Sequence, residues 1–386
     1  MNRRPFIKTL GLGATFLASS GLFAHTVFDD RRKRTIKPKR LTPGDTITLI
    51  APGGPVTEEK IAKAEKNLQE LGFKTKQSKN LRAQKKHTAG TDQQRLEDLH
   101  TAFADTNSKA IWCVRGGDGC NRLLPYLDYN LIKNNPKPLI GFSDITALSN
   151  AIYHKTGLIG FHGPIGAWNF SEYTVAQLTK VLMETKSDQI IKGTERTSVI
   201  TDGKARGILV GGNLSLLAAL AGTPYDHDYT NKIVFIEDVG EAPRRIDRML
   251  TQLSQSSNLK KASGIIFGEF ADCYDPTLKN KLEDELETNL INLTQNSASG
   301  ADKQFLSKLQ TKLNEEIKAQ QIQTKLDADL KETITDRFLK GLKLPVLYDF
   351  PFSHDSSKEF CTFPVGIEAE LDATNKQVIL LENAVI

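Results

Sequence analysis

Three side chains have the types that acyl transfer needs: the hydroxyl of Ser143, the carboxylate of Glu237 and the imidazole of His354. A hydroxyl becomes a competent nucleophile when an imidazole takes its proton, and a carboxylate on the far ring nitrogen fixes the tautomer that can do so. Ser143 lies in the stretch Pro138-Leu-Ile-Gly-Phe-Ser-Asp-Ile-Thr-Ala-Leu148. Leu139 to Phe142 is a short apolar run that reads as a buried strand, while Ile145, Leu148 and Ile152 repeat at helical spacing until Gly157. Ser143 is therefore expected on a strand-to-helix turn, where the first helical amides point unpaired at any negative charge that develops beside them. The same position suits a simple N-cap. The elbow pattern G-x-S-x-G is not matched, because Ile145 stands where its second glycine would be.

The glycine pairs Gly53-Gly54 and Gly116-Gly117 each follow an apolar run. Such pairs make tight turns or leave backbone amides open to a ligand. The Gly116-Gly117 loop could supply a hydrogen-bond donor beside the Asp144 amide and so form an oxyanion hole; a phosphate cradle is the competing use. The full spacing of a dinucleotide fingerprint or a P-loop is absent, which ranks nucleotide binding low. Glu237 follows the run Lys232 to Ile236 and serves equally as helix-entry charge with Asp238 and Glu241. His354 lies beyond the strand at Pro345-Val-Leu-Tyr348, where a polar loop residue is also ordinary.

The elements that must position these groups alternate. Strand runs at Thr46–Ala51, Phe73–Gln77, Ala110–Val114, Leu139–Phe142 and Leu158–Phe161 are separated by helical patterns, which implies a parallel, doubly wound sheet. Loops leaving the carboxyl ends of such strands meet where ligands bind. We expect an α/β protein: a flavodoxin- or Rossmann-like parallel sheet domain over 41–170, a linker over 171–205, and a second α/β domain over 206–386 with a helical insert at about 278–330. The active site would lie between the two domains.

Composition narrows the class. With 386 residues, 39% hydrophobic and 25% charged, the chain has the make-up of a folded protein of two domains. Residues 1–40 carry ten Lys or Arg against two Asp, a surplus of eight; taken from the formal +5 of the whole chain, this leaves −3 for the remainder. The folded body thus lacks the basic excess that nucleic-acid binding needs. Asn2-Arg-Arg-Pro-Phe-Ile-Lys8 ahead of an apolar run to Ala24 has the layout of a twin-arginine export signal, followed by a basic tether to Arg40. That run is too short and glycine-rich for a comfortable membrane span, and a periplasmic location follows. Cys113, Cys120, Cys273 and Cys361 show no metal-ligand spacing; free buried thiols and no metal are expected.

The ordered set Gly-Asp-Thr-Ile (44–47), Ala-Pro-Gly-Gly (51–54), Arg-Gly-Gly-Asp-Gly (115–119), Ile-Gly-Phe-Ser-Asp-Ile-Thr (140–146), Gly-Gly-Asn-Leu-Ser-Leu-Leu (211–217), Ile-Glu-Asp-Val-Gly-Glu (236–241), Arg-Ile-Asp-Arg-Met-Leu (245–250) and Pro-Phe-Ser-His (351–354) resembles the LD-carboxypeptidase family of serine peptidases over nearly all of 41–386. The resemblance implies Ser143 as nucleophile, His354 as general base and acid, Glu237 as its orienting carboxylate, and Gly117 and Asp144 as oxyanion donors. It also implies release of terminal D-Ala from murein tetrapeptides, no cofactor, and a homodimer. Asp118 replaces the tyrosine common in the family's glycine loop, and Ser353 replaces a glycine before the histidine. Two other readings are a hydrolase of another peptide conjugate, as in microcin immunity, and a periplasmic binding protein without turnover.

Overall fold

The structure is a computed structural model that describes residues 35–294 and 303–386, with side chains described outside 287–317. The expected export signal lies outside the described residues. No helix among the described residues is long and apolar enough to cross a membrane.

The β-branched run at Thr46–Ile50 forms β1, followed by β2 (Lys74–Gln77), β3 (Ser108–Cys113), β4 (Leu139–Gly141) and β5 (Gly160–His162). These five strands are parallel neighbours in the order β5-β4-β3-β1-β2. The winding reverses between β1 and β3, which is the crevice where flavodoxin-like sheets bind ligands. The Gly53-Gly54 and Gly116-Gly117 turns leave the carboxyl ends of these two strands.

The second sheet contains β6 (Gln189–Lys192), β7 (Ser198–Thr201), β8 (Lys204–Asn213), β9 (Lys232–Val239), β10 (Gly264–Ala271), β11 (Val346–Phe350), β13 (Glu368–Asp372) and β14 (Gln377–Leu380). Its centre, β8-β9-β10-β11, is parallel, and antiparallel strands flank it on both sides. The remaining strand, β12 (Phe363–Val365), belongs to the first sheet and pairs antiparallel with β5.

Three expected boundaries change. Residues 171–205 are not a linker: they hold the helix Glu172–Met183 and supply β6 and β7, the two outer strands of the second sheet. The basic tether does not extend to Arg40. Ile36 bridges to Leu158, Arg40 N donates to Ile386 O at 2.8 Å, and Ile386 N donates to Pro38 O at 3.0 Å. The stretch 206–386 is not confined to the second domain, because β12 crosses back. The insert is a pair of helices, Pro276–Thr294 and Lys303–Thr333. One continuous apolar core holds Trp112, Phe142 and Phe161 of the first half with Phe235, Phe352 and Phe363 of the second, so burial of shared rings fixes how the sheets meet.

Candidate active site

Ser143 follows β4 with φ +64°, a left-handed conformation that side chains other than glycine rarely adopt. The turn is forced from both sides. A β-carbon on Gly141 would lie 3.0 Å from Ile145 Cγ1 and 3.1 Å from Cys113 Cβ, so the helix Ile145–Thr156 can fold back against β3 only over a glycine. Thr146 N donates to Ser143 O at 2.9 Å and closes the turn. Phe142, 1% exposed, wedges against Trp168, Phe360 and His354, with ring centroids 4.9, 4.8 and 4.8 Å away. Burying that side chain contributes about 1.5–3 kcal/mol, which can hold a backbone conformation costing about 1–3. Ser143 does not cap its helix: Asp144 occupies the N-cap position, and no side chain caps this end.

The glycine loop packs against the serine. A β-carbon on Gly116 would stand 2.8 Å from Ser143 Cβ and 3.0 Å from Ser143 Oγ, and one on Gly117 would fall 2.1 Å from Gly54 N. Gly54 N donates to Gly116 O at 2.8 Å, locking the two glycine turns together. The Asp144 carboxylate, 2% exposed, accepts from Cys120 N at 2.9 Å and anchors the far end of the loop. Burial raises its pKa, while the Cys120 hydrogen bonds oppose that rise. Among the described residues, the N–H of Gly117 and that of Asp144 donate to no acceptor in any turn or loop.

Glu237 lies near the end of β9, fully buried, and His354 follows β11. His354 Nδ1 and Glu237 Oε2 are 2.6 Å apart, so the two sequence candidates from the second half form a pair. Burial pushes the imidazole pKa down, but the charge and hydrogen bond of Glu237, with the charge of Asp238, outweigh it, and the net direction is up. Asp238 is itself pinned by Asn213 Nδ2 at 2.8 Å and by Ser215 N and Oγ at 3.0 and 2.8 Å. Burial and the neighbouring Glu237 charge push its pKa up to about 6. The loop carrying His354 is held by Glu269: Glu269 N donates to Phe352 O at 3.1 Å, and Lys358 Nζ donates to its carboxylate at 2.6 Å.

Ser143 makes no hydrogen bond to this pair; the link is its neighbour Phe142, whose ring meets the His354 imidazole edge-on at 4.8 Å. Neither Ser143 Oγ nor the buried His354 Nε2 has a hydrogen-bond partner among the described residues. Each therefore keeps an uncommitted hydrogen-bonding atom.

Sequence reasoning missed His162. It ends β5, is 2% exposed, and packs among Phe142, Phe235, Phe352 and Phe360 with centroids 5.1–6.0 Å away. Burial pushes its pKa down to about 4, against the pull of Glu237 and with a push from His354. Its Nε2 and Glu237 Oε1 are both buried without a hydrogen-bond partner. The signal was its address, the carboxyl end of an expected parallel strand. All four cysteines are buried and unpaired. No group of three or more His, Cys, Asp or Glu among the described residues is placed to hold a metal ion.

Comparison with known proteins decides the family. Residues 47–163 match the LD-carboxypeptidase N-terminal domain, and residues 206–310 match the LD-carboxypeptidase C-terminal domain. The chain belongs to the LD-carboxypeptidase family. It is 42% identical over 266 residues to a probable murein peptide carboxypeptidase of Bacillus subtilis, covering 66% of this chain and 82% of that protein. It is 34% identical over 253 residues to the murein tetrapeptide carboxypeptidase of Pseudomonas aeruginosa, covering 61% of this chain and 80% of that one. The microcin C7 self-immunity protein in complex with glutamyl sulfamoyl guanosine superposes with a TM-score of 0.70 at 25% identity, covering 91% of this chain and 99% of that structure. As a family member the chain is a peptidase with the two-domain α/β architecture of its relatives.

Proposed function

We propose that this peptidase is a serine-type LD-carboxypeptidase that hydrolyses the bond between the L-centre of the diamino acid and the terminal D-Ala of murein tetrapeptides. The observation that carries the reading is the free hydroxyl of Ser143, held at φ +64° next to Phe142, whose ring lies 4.8 Å from the imidazole of the 2.6 Å His354–Glu237 pair. A strained, unpartnered serine is costly for a structural element and useful for a nucleophile.

With Nδ1–H donated to Glu237, His354 Nε2 is free to take the Ser143 proton as Oγ attacks the scissile carbonyl. The carbonyl oxygen gains negative charge, and the Gly117 and Asp144 amides donate to it. His354 returns the proton to the nitrogen of D-Ala, the C–N bond breaks, and an ester on Ser143 remains. Water then attacks the ester with His354 as base and restores the serine. The Ser143–His354 hydrogen bond closes when substrate enters, since catalytic contacts are commonly longer in the free enzyme. The expected twin-arginine leader would carry it to the periplasm, where murein peptides lie, and we carry the homodimer forward as part of this reading.

The test is incubation of purified protein with a tetrapeptide containing meso-diaminopimelate, following free D-Ala by mass spectrometry. Release that disappears in Ser143→Ala supports the reading. Cleavage of an aminoacyl sulfamoyl nucleoside in place of the tetrapeptide would move the chain toward the immunity-protein substrate class, and tight binding without release would make it a receptor.

A further inference from the structure

Arg115 opens the glycine loop that supplies an oxyanion amide, yet the mechanism gives its guanidinium nothing to do. Arg115 is half-buried, and among the described residues its guanidinium's one hydrogen bond runs from Nη1 to the Pro55 carbonyl at 2.9 Å. Arg82, Arg95, Arg122 and Arg196 each hold an Asp or Glu at 2.5–2.9 Å, whereas Arg115 has no carboxylate partner among the described residues. A guanidinium carries five N–H donors, so most of this fork is uncommitted.

Its position is specific. A β-carbon on Gly54 would lie 3.3 Å from Arg115 Cζ and 3.3 Å from Gly117 Cα. The cation and the oxyanion glycine are thus separated by no more than twice that distance. A second cation stands nearby: the Lys60 ammonium forms no ion pair or hydrogen bond among the described residues, and its pKa is lowered by partial burial and then by the charge of Arg115. The acids close by do not neutralise the two. Glu58 is engaged by Arg82 Nε and Nη2, and Asp118, exposed on the same loop, makes no ion pair with Arg115. Two cations that repel one another beside an amide-lined cradle are suited to an anionic ligand group.

We propose that Arg115, with Lys60 beside it, binds the free α-carboxylate of the leaving amino acid and so confines the enzyme to the last residue of a peptide. The assignment rests on the carboxypeptidase reading above. In such a substrate, three covalent bonds, at most about 4 Å, separate the scissile carbonyl carbon from the terminal carboxylate carbon. A group whose carbonyl oxygen sits at Gly117 therefore carries its carboxylate toward the guanidinium fork, whose planar geometry suits bidentate pairing.

The experiment compares kcat/KM for the tetrapeptide as free acid and as C-terminal carboxamide in the wild type, Arg115→Met, Arg115→Lys and Lys60→Met, with urea midpoints to verify folding. A charge-assisted hydrogen bond implies a preference for the acid of about 10- to 100-fold in the wild type. That ratio should collapse in Arg115→Met, mainly through KM, return in part in Arg115→Lys, and shrink less in Lys60→Met. Free D-alanine should inhibit the wild type more strongly than D-alaninamide, a comparison that needs no variant. Equal losses on acid and amide would reduce Arg115 to a support of the glycine loop and overturn the proposal, as would a wild type indifferent to the carboxylate. A wild type that releases D-Ala from neither peptide instead removes the underlying reading, and the clamp with it.

Discussion

Asn213 donates its backbone N–H to the hydroxyl of Thr146 at 3.0 Å, and Asn150 Nδ2 donates to Gly211 O, also at 3.0 Å. These contacts join the helix behind Ser143 to the end of β8, whose Asn213 side chain in turn holds Asp238, next to Glu237. The approach is close enough that a β-carbon on Gly212 would lie 2.5 Å from Thr146 Oγ1. Thr146→Val keeps the shape and leaves the buried Asn213 N–H unpaired. The expected loss is about 1–3 kcal/mol of stability, measured as a lowered urea midpoint, with a drop in turnover of about tenfold. An unchanged midpoint would show that the contact does not govern how the halves meet.

Ser143 offers a trade between stability and chemistry. Ser143→Ala should abolish D-Ala release by several orders of magnitude while leaving the circular dichroism spectrum intact. Ser143→Gly should be equally inactive yet more stable than the wild type by about 1 kcal/mol, because glycine adopts φ +64° without strain. Thermal melts of the two variants side by side test this, and a glycine variant less stable than alanine would argue that the turn is relaxed.

The pH dependence follows from His354. Its pKa lies above the ordinary 6.5, with burial pulling down and Glu237 and Asp238 prevailing upward. In the proposed mechanism attack needs the unprotonated base, so kcat/KM should rise through a pKa above 6.5. The stabilisation that the imidazolium draws from Glu237 has the opposite sign: it is fully present below 6.5 and is lost as pH climbs through the raised value. Glu237→Gln should move the acidic limb to lower pH and reduce turnover, and a profile that stays in place would detach the carboxylate from the imidazole.

His162 makes the fold sensitive to acid. Folded, it stays neutral down to about 4, whereas the unfolded chain takes up the proton near 6.5. Stability should therefore be complete above 6.5 and fall as pH drops toward 4, by up to about 3 kcal/mol. Asp238, raised to about 6, works against this over part of the range, so the comparison must be differential. Urea midpoints at pH 7.5 and 4.5 should differ less in His162→Leu than in the wild type. Parallel pH curves would remove His162 as the cause.

Much of this was legible in the chain. The alternation of β-branched runs with helical spacing led to the flavodoxin-like winding, and the carboxyl-end rule set Glu237 and His354 at strand ends, where the structure pairs them. The hidden parts have physical reasons. β6 and β7 are outer strands with mixed exposure, and the run Ser198–Thr201 has no fully buried position to set a period. The conformation of Ser143 could not be read, because Ile145 breaks the usual glycine signature and the turn is enforced by Gly141 and by rings distant in sequence. His162 looked like one more core residue after an apolar strand. Its proximity to the Glu237–His354 pair depends on how two sheets share a core.

The pairing of Val365 with Gly160 has a consequence for biosynthesis. A ribosome must emit the chain as far as Val365 before the open border of the amino-terminal layer acquires its final neighbour. Until then that border stays exposed as a template for mispairing. Completion of the serine-bearing sheet is thereby deferred until residues 363–365 have been made, by which point the histidine loop has also emerged.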